Sequence, residues 1–199
     1  MTNHNLDPAP PFSALIFDCD GTLVDTQNAH HRALSETLAA KGIALDDDWY
    51  LARTGTSIRE LLAELRSTGN HEFDPADVML DRERRYVELA ETVTEIEAVA
   101  EVVRTYRSRV PLAVASGGTR AVVEPTLRNV GLLDLFDVVV TYDDVERGKP
   151  SPDLFLLAAE RLGSPPNDCI VYEDTDEGVQ AAQRAGMRVI DVRAAVNPA

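Results

Sequence analysis

Cysteine is scarce in this chain: there are two in 199 residues, Cys19 and Cys169. Two thiols make neither the paired framework of a small secreted domain nor a thiolate-based metal site. Each lies in or beside an apolar stretch, so both read as small core residues. Basic residues are also few, 19 Lys and Arg against 34 Asp and Glu, for a net charge of -15. That balance argues against nucleic acid or an anionic membrane as partner, because both need clustered cations. The acidic excess reads instead as a solvated surface. No apolar run approaches the length of about 20 residues that crosses a bilayer. The opening MTNHNLDPAPP has no basic start followed by an apolar run, so it reads as a loose tail rather than a secretory signal. A cytoplasmic location is expected, with a monomer as the default state. With 44% hydrophobic and 27% charged residues, the composition is that of an ordinary globular protein, one large domain or a core with a small insert.

The richest stretch is residues 13–26, SALIFDCDGTLVDT. The apolar run Ala14-Leu15-Ile16-Phe17 stops at two aspartates one residue apart, Asp18 and Asp20, with Asp25 further on. A buried strand that opens into carboxylates at its C-terminal end is where an open α/β sheet places its chemistry. Two such carboxylates repel each other where water is scarce, and a cation is their natural neutraliser. An all-oxygen set suits Mg²⁺, which keeps room for waters and a substrate phosphate. The plain alternative is an Asp-rich turn after a strand.

Beyond residue 100 short apolar runs alternate with helix-period segments. Runs at 110–115, 138–141, 169–172 and 189–192 read as strands, and 97–108, 119–130, 152–162 and 176–185 as helices. Continuous apolar strands alternating with helices predict a parallel sheet covered on both faces. Gly131 and Gly186 stand where left-handed helix ends are expected, and Pro152 suits a first helical turn. Residues 27–95 break the rhythm, with helix-period segments near 28–41, 57–67 and 75–91 and helix stops at Gly42 and Gly69. The expected fold is α/β: a Rossmann-like parallel sheet core, residues 12–25 and 96–199, with an inserted all-helical cap domain, residues 26–95.

Three further features fall at or after strand ends. Ser116-Gly117-Gly118-Thr119 offers hydroxyls and amides at a helix start, which could hold phosphate oxygens or simply cap the helix. Lys149, between Gly148 and Pro150, is stiffly presented and could neutralise a phosphate and a nearby carboxylate, or stand exposed. Glu173-Asp174-Thr175-Asp176 follows the run at 169–172 and could complete a metal site begun by Asp18 and Asp20. Together these would place acids from two strands, a hydroxyl from a third and a lysine on one sheet edge, with a divalent cation beside a phosphate.

Asp18/Asp20, Ser116, Lys149 and Glu173/Asp174, in that order, resemble the motif set of the haloacid dehalogenase superfamily of phosphohydrolases. The stretch EDTDEGVQAAQRAGM, 173–187, resembles that family's last motif and its helix. The helical cap after the first motif is similar to that of the β-phosphoglucomutase and fructose-1-phosphate phosphatase subgroup. The resemblance implies that Asp18 attacks phosphorus and becomes an aspartyl phosphate. It implies that Asp20 protonates the leaving oxygen and then activates water. It also implies that Mg²⁺ is held by Asp18, Asp174 and the backbone carbonyl of Asp20, and that Ser116 and Lys149, with Gly117, hold the transferring phosphoryl. A second acid at Asp20 argues against the dehalogenase branch, which lacks it. His30 opens the cap where related sugar-phosphate enzymes carry a substrate-facing His; its neighbour His31 illustrates the alternative, a solvated helix face. Arg59 could reach a distal substrate oxygen, although its spacing is one residue longer than in the mutase relatives.

The remaining cap residues read more plainly. Asp25 and Thr26 suit a hinge, Trp49 suits cap core, and Asp46-Asp47-Asp48 suits a solvated loop. The expected activity is Mg²⁺-dependent hydrolysis of a small phosphorylated metabolite, most simply a sugar phosphate. One alternative is a mutase of the β-phosphoglucomutase kind, against which stands the lack of a lysine before Gly55, where Thr54 stands. Another is a binding protein of the same fold without turnover.

Overall fold

The structure is a computed structural model, described here for residues 6–53, 56–69 and 71–196. In chain order its elements are β1 (Ala14–Phe17), β2 (Val24–Asp25), α1 (Gln27–Ala39), α2 (Asp47–Leu51), α3 (Ile58–Gly69) and α4 (Pro75–Leu89). Then come β3 (Thr94–Glu95), α5 (Glu97–Tyr106), β4 (Leu112–Ala115), α6 (Arg120–Asn129), β5 (Val138–Val140) and α7 (Asp153–Leu162). The last are β6 (Cys169–Glu173), α8 (Asp176–Arg184), β7 (Arg188–Asp191) and α9 (Arg193–Val196). Two compact units emerge: the chain up to Thr26 with Val93 onward, and Gln27–Thr92 between them.

The first unit is built on a five-stranded sheet in the order β5-β4-β1-β6-β7, parallel throughout. In the register, Leu15 stands opposite both Leu112 and Ile170. Every residue of β1, β4 and β6 is buried, as expected of strands covered on both faces. Their side chains divide by the period of two. Leu15, Phe17, Leu112, Val114, Ile170 and Tyr172 join the face covered by Val99, Val103, Val123 and Leu127 of α5 and α6. Ala14, Ile16, Ala113, Ala115, Cys169 and Val171 join the other, under Leu154, Phe155, Ala158 and Ala159 of α7 and Ala181 and Ala182 of α8. The many small residues on that second face let the two helices seat close to the sheet. Cys19 belongs to the first cluster and Cys169 to the second, and both thiols are free. The sheet positions the site because β1 lies between β4 and β6, and the chain runs from β1 toward β4 on one side but from β6 toward β7 on the other. That is the switch point, where the strand ends part and a ligand can enter.

Gly131 and Gly186 take left-handed backbone, φ 71° and 74°, just past α6 and α8. Pro152 stands one residue before α7, as its cap residue. Val24-Asp25 and Thr94-Glu95 form a two-residue antiparallel ribbon. This pairing keeps residues 94 and 95 with the sheet unit, although the sequence reading placed them in the insert.

Among the described residues the second unit has the four α-helices α1–α4 around Leu34, Leu38, Ile43, Leu62 and Val78. Two expectations for it fail. Asp46-Asp47-Asp48 is not a loop: Asp46 caps α2 by accepting from Trp49 N at 2.7 Å, and the next two acids occupy the favourable first turn. Trp49 is half-buried and lies outside the apolar cluster. Its ring carries the Arg53 guanidinium, 4.3 Å from its centroid, which is a partly wet place. Thr54 and Gly55, on which the argument against a mutase rests, lie outside the described residues. Among the described residues no helix is long and apolar enough to cross a membrane.

Candidate active site

Asp18 extends the β1–β6 ladder one residue past the strand, its N–H donating to Tyr172 O at 3.0 Å. The side chain therefore leaves the sheet at its C-terminal edge, and the residue is buried. Lys149 reaches it from the loop after β5, where Ser151 N closes a turn on Gly148 O. The Lys149 ammonium donates to Asp18 Oδ1 at 2.5 Å and to Glu173 Oε2 at 2.7 Å. Glu173 ends β6 and is fully buried. Its Oε1 accepts from Asp174 N at 3.1 Å, Thr175 N at 2.9 Å and Thr175 Oγ1 at 2.7 Å. This carboxylate thus sits at the start of α8, where amides and the helix dipole favour negative charge.

Two glycines admit the acids. A Cβ on Gly178 would stand 2.0 Å from the Glu173 carboxyl, so only glycine lets α8 come this close. A Cβ on Gly21, whose φ is +78°, would stand 2.3 Å from Asp174 Oδ2. Asp174 is further held by Thr22 Oγ1, which donates to its Oδ1 at 2.9 Å. Ser116 is fully buried after β4, and its Oγ accepts from Gly118 N at 3.0 Å. A Cβ on Gly118 would lie 3.4 Å from Ser116 Oγ and 3.7 Å from Asp20 Oδ2, which sets the hydroxyl and the second aspartate about one point. A Cβ on Gly117 would meet nothing within 4 Å, so that side of the turn is open.

The electrostatics are lopsided. Burial, then the charge of Glu173, pushes the Asp18 carboxyl well up, and Lys149 only partly opposes them, with Asp174 and Asp20 adding to the rise. Asp174 is pushed up to about 6 by burial and then Glu173, against the Thr22 hydrogen bond and Lys149. Burial would lower the Lys149 ammonium, but Asp18 and Glu173 outweigh it and hold it above its ordinary value. The Lys149 ammonium thus bridges two of these carboxylates, Asp18 and Glu173, with Asp174 beside them.

The donor set fits a hard divalent cation. Carboxylate oxygens of Asp18, Glu173 and Asp174 come within 4.8 Å of one another. Glu173 differs from the other two, since Lys149 and three donors of its own turn already occupy its oxygens. Asp18 and Asp174 are left as the carboxylates suited to an oxygen-loving ion, which takes one or two from the protein.

The structure thus brings Asp18, Asp20, Ser116, Gly117, Lys149 and Asp174 to one sheet edge. From the sequence Glu173 reads only as part of an acid pair that could complete the metal site; its tie to Lys149 depends on a residue 24 positions away. Thr22, Thr175 and Gly178 were not singled out, and the only hint of them was membership of the two motif stretches. His30 and Arg59 belong to the helical unit. The His30 ring stacks on Tyr86, centroids 4.2 Å apart, and its Nδ1 lies 2.7 Å from Arg82 Nη2. A guanidinium only donates, so Nδ1 accepts and Nε2 carries the proton. Arg59 is an exposed residue of the first turn of α3.

Comparison with known proteins gives the family. The haloacid dehalogenase-like hydrolase family matches residues 12–186, and the chain belongs to that family. It is a hydrolase of phosphoric monoesters. Fructose-1-phosphate phosphatase YqaB of Escherichia coli is 35% identical over 182 residues, 92% of this chain and 97% of that protein. A phosphorylated carbohydrates phosphatase of Thermotoga maritima is 32% identical over 89% of this chain and 83% of its own length. A crystal structure of a mutant CbbY from Rhodobacter sphaeroides with xylulose-(1,5)bisphosphate superposes with a TM-score of 0.81 at 31% identity, covering 91% of this chain and 86% of that one.

Proposed function

We propose that the protein is a Mg²⁺-dependent phosphatase of small phosphorylated carbohydrates that works through a phosphoryl group held on Asp18. The observation that carries this reading is the buried Asp18–Lys149–Glu173 arrangement beside Asp174, a carboxylate held in place by an ammonium next to a cluster of acids that suits a cation. Asp18 attacks phosphorus, the bond to the leaving oxygen breaks, and Asp20 gives that oxygen a proton. Water then attacks phosphorus, Asp20 takes its proton, and the bond to Asp18 breaks to release phosphate. Ser116, the open amide turn at Gly117 and Lys149 hold the phosphoryl oxygens, and Lys149 lowers the repulsion between Asp18 and the anion it attacks. Glu173 keeps the ammonium in place. Asp18, Asp174 and the Asp20 carbonyl would hold Mg²⁺, which supplies charge neutralisation for the transferring group when bound.

The carbohydrate part of the reading is supported by the names of two relatives and the sugar bisphosphate bound in CbbY. In the helical unit His30, whose imidazole can donate to a sugar hydroxyl or phosphate oxygen, and Arg59 are the candidate substrate contacts. The test is phosphate release from a panel of hexose and pentose phosphates, set beside nucleotides and phosphoserine. Release concentrated on a few sugar phosphates is expected. Equal release from every ester, or release from the other esters alone, overturns the substrate class.

A further inference from the structure

Asp144 lies outside the catalytic cluster and no step of the mechanism uses it, yet its carboxylate accepts four hydrogen bonds. Oδ2 takes them from Thr141 N at 2.9 Å, Thr141 Oγ1 at 3.1 Å and Arg120 Nη2 at 2.6 Å, and Oδ1 from Arg161 Nη2 at 2.9 Å. Each donor anchors a different part of the core. Thr141 is fully buried at the end of β5. Arg120 is the first residue of α6, directly after the turn Ser116–Thr119. Its backbone N–H is taken by Asp143 Oδ2 at 2.7 Å, and its side chain also reaches Glu124 at 2.8 Å. Arg161 is in the last turn of α7, the helix that the Lys149 loop leads into.

The turn that Asp144 closes, Tyr142–Asp144, touches both anion-holding loops. Tyr142 N donates to Gly118 O at 2.9 Å, and just beneath it Ser116 N donates to Val140 O at 3.0 Å. On the other side the Tyr142 ring lies against Gly148, where a Cβ would stand 3.1 Å from a ring carbon, and Lys149 is the next residue. One carboxylate therefore ties down a turn that is bonded to the Ser116 loop and packed against the Lys149 loop. Burial would raise the Asp144 carboxyl, but the Thr141 and Arg161 hydrogen bonds and the Arg120 charge hold it at about 2, so it stays ionised at working pH.

We infer that Asp144 is a positioning residue of the phosphatase reaction, setting the Ser116–Gly118 turn and Lys149 at the spacing that grips one phosphoryl group. The inference rests on the phosphatase reading above. Positioning of this kind is steep, since an error of about 1 Å in a gripping group can cost about 100-fold in rate.

The experiment compares wild type with Asp144→Asn and with Arg120→Lys, a milder change on the half-exposed Arg120 that serves if the first variant folds poorly. Glu124→Gln, which also contacts Arg120 but not Asp144, is the control. The readouts are KM for the preferred sugar phosphate, the inhibition constant of inorganic phosphate, and kcat per folded molecule. The first two do not depend on how much of a sample is active, so mere loss of folded protein leaves them unchanged. Asp144→Asn and Arg120→Lys are expected to weaken inorganic phosphate by about tenfold and to lower kcat/KM by at least that factor. Glu124→Gln is expected to stay within about threefold of wild type on the same scale. Constants for both variants within about threefold of wild type, whatever their thermal stability, overturn the positioning role. A wild type that neither releases phosphate from any ester nor binds inorganic phosphate overturns the phosphatase reading, and this inference with it.

Discussion

Asp18 and Lys149 are paired in a place with little water, their side chains 7% and 10% exposed. Removing the cation strands two carboxylates, Asp18 and the fully buried Glu173. Loss of one partner of a buried pair costs about 3–5 kcal/mol. Lys149→Met should therefore lose both activity and about 3 kcal/mol of stability in urea unfolding at low Mg²⁺. Saturating Mg²⁺ should restore part of that stability, because an ion bound only by the folded state favours it. Stability indifferent to Mg²⁺ in this variant would place the ion elsewhere. These two residues were legible in the sequence for local reasons: an apolar run stopping at Asp18, and a lysine between Gly148 and Pro150. Glu173 was visible only as half of an acid pair, because its role is set by a lysine and a helix start that the fold brings to it.

At the scale of elements, the β6–α8 junction rests on Gly178. A methyl group there would overlap the Glu173 carboxyl at 2.0 Å, so either the helix start or the carboxylate must move. Gly178→Ala should lower kcat/KM at least about tenfold and destabilise by about 1–3 kcal/mol, read by steady-state kinetics and urea unfolding. A variant equal to wild type would show that Glu173 tolerates displacement. The turn closed by Asp144 makes a pH-dependent contribution of known sign. Its carboxyl is held at about 2 in the folded state, below the ordinary carboxylate value it regains on unfolding. The resulting stabilisation is complete above that ordinary value and fades as pH falls toward 2. Asp144→Asn should therefore cost about 1–2 kcal/mol at pH 6, with the gap to wild type narrowing below about pH 4 in urea titrations. A gap that does not change with pH would contradict the assignment. The helices and strands of the sheet unit could be read from the alternation of apolar runs with helix-period segments, and the central runs are continuous because β1, β4 and β6 are buried on both faces. α2 could not, since three consecutive aspartates look like a loop until Asp46 is seen capping Trp49 N. The two-residue ribbon of β2 and β3 is too short to leave a pattern.

For the whole molecule, the order β5-β4-β1-β6-β7 turns scattered motifs into a site, because it sets the ends of β4, β1 and β6 side by side. No local pattern states that order; it follows from pairings such as Leu15 with both Leu112 and Ile170, far apart in the chain. The sequence showed which strands end in chemistry, and the sheet shows that three of those ends are adjacent. The motif resemblance supplied the family, and the match over residues 12–186 agrees with it. On the proposed mechanism Asp18 forms the bond to phosphorus in a site completed by a divalent cation. It is tested by phosphate release from the sugar phosphate that the panel shows to be preferred, by wild type and by Asp18→Asn, each with Mg²⁺ and with excess chelator. Wild-type release should fall to background with chelator and return with Mg²⁺, and the Asp18→Asn rate should be at least about 10³-fold lower in a protein that still folds. Release by Asp18→Asn at the wild-type rate, or wild-type release untouched by chelator, would contradict it.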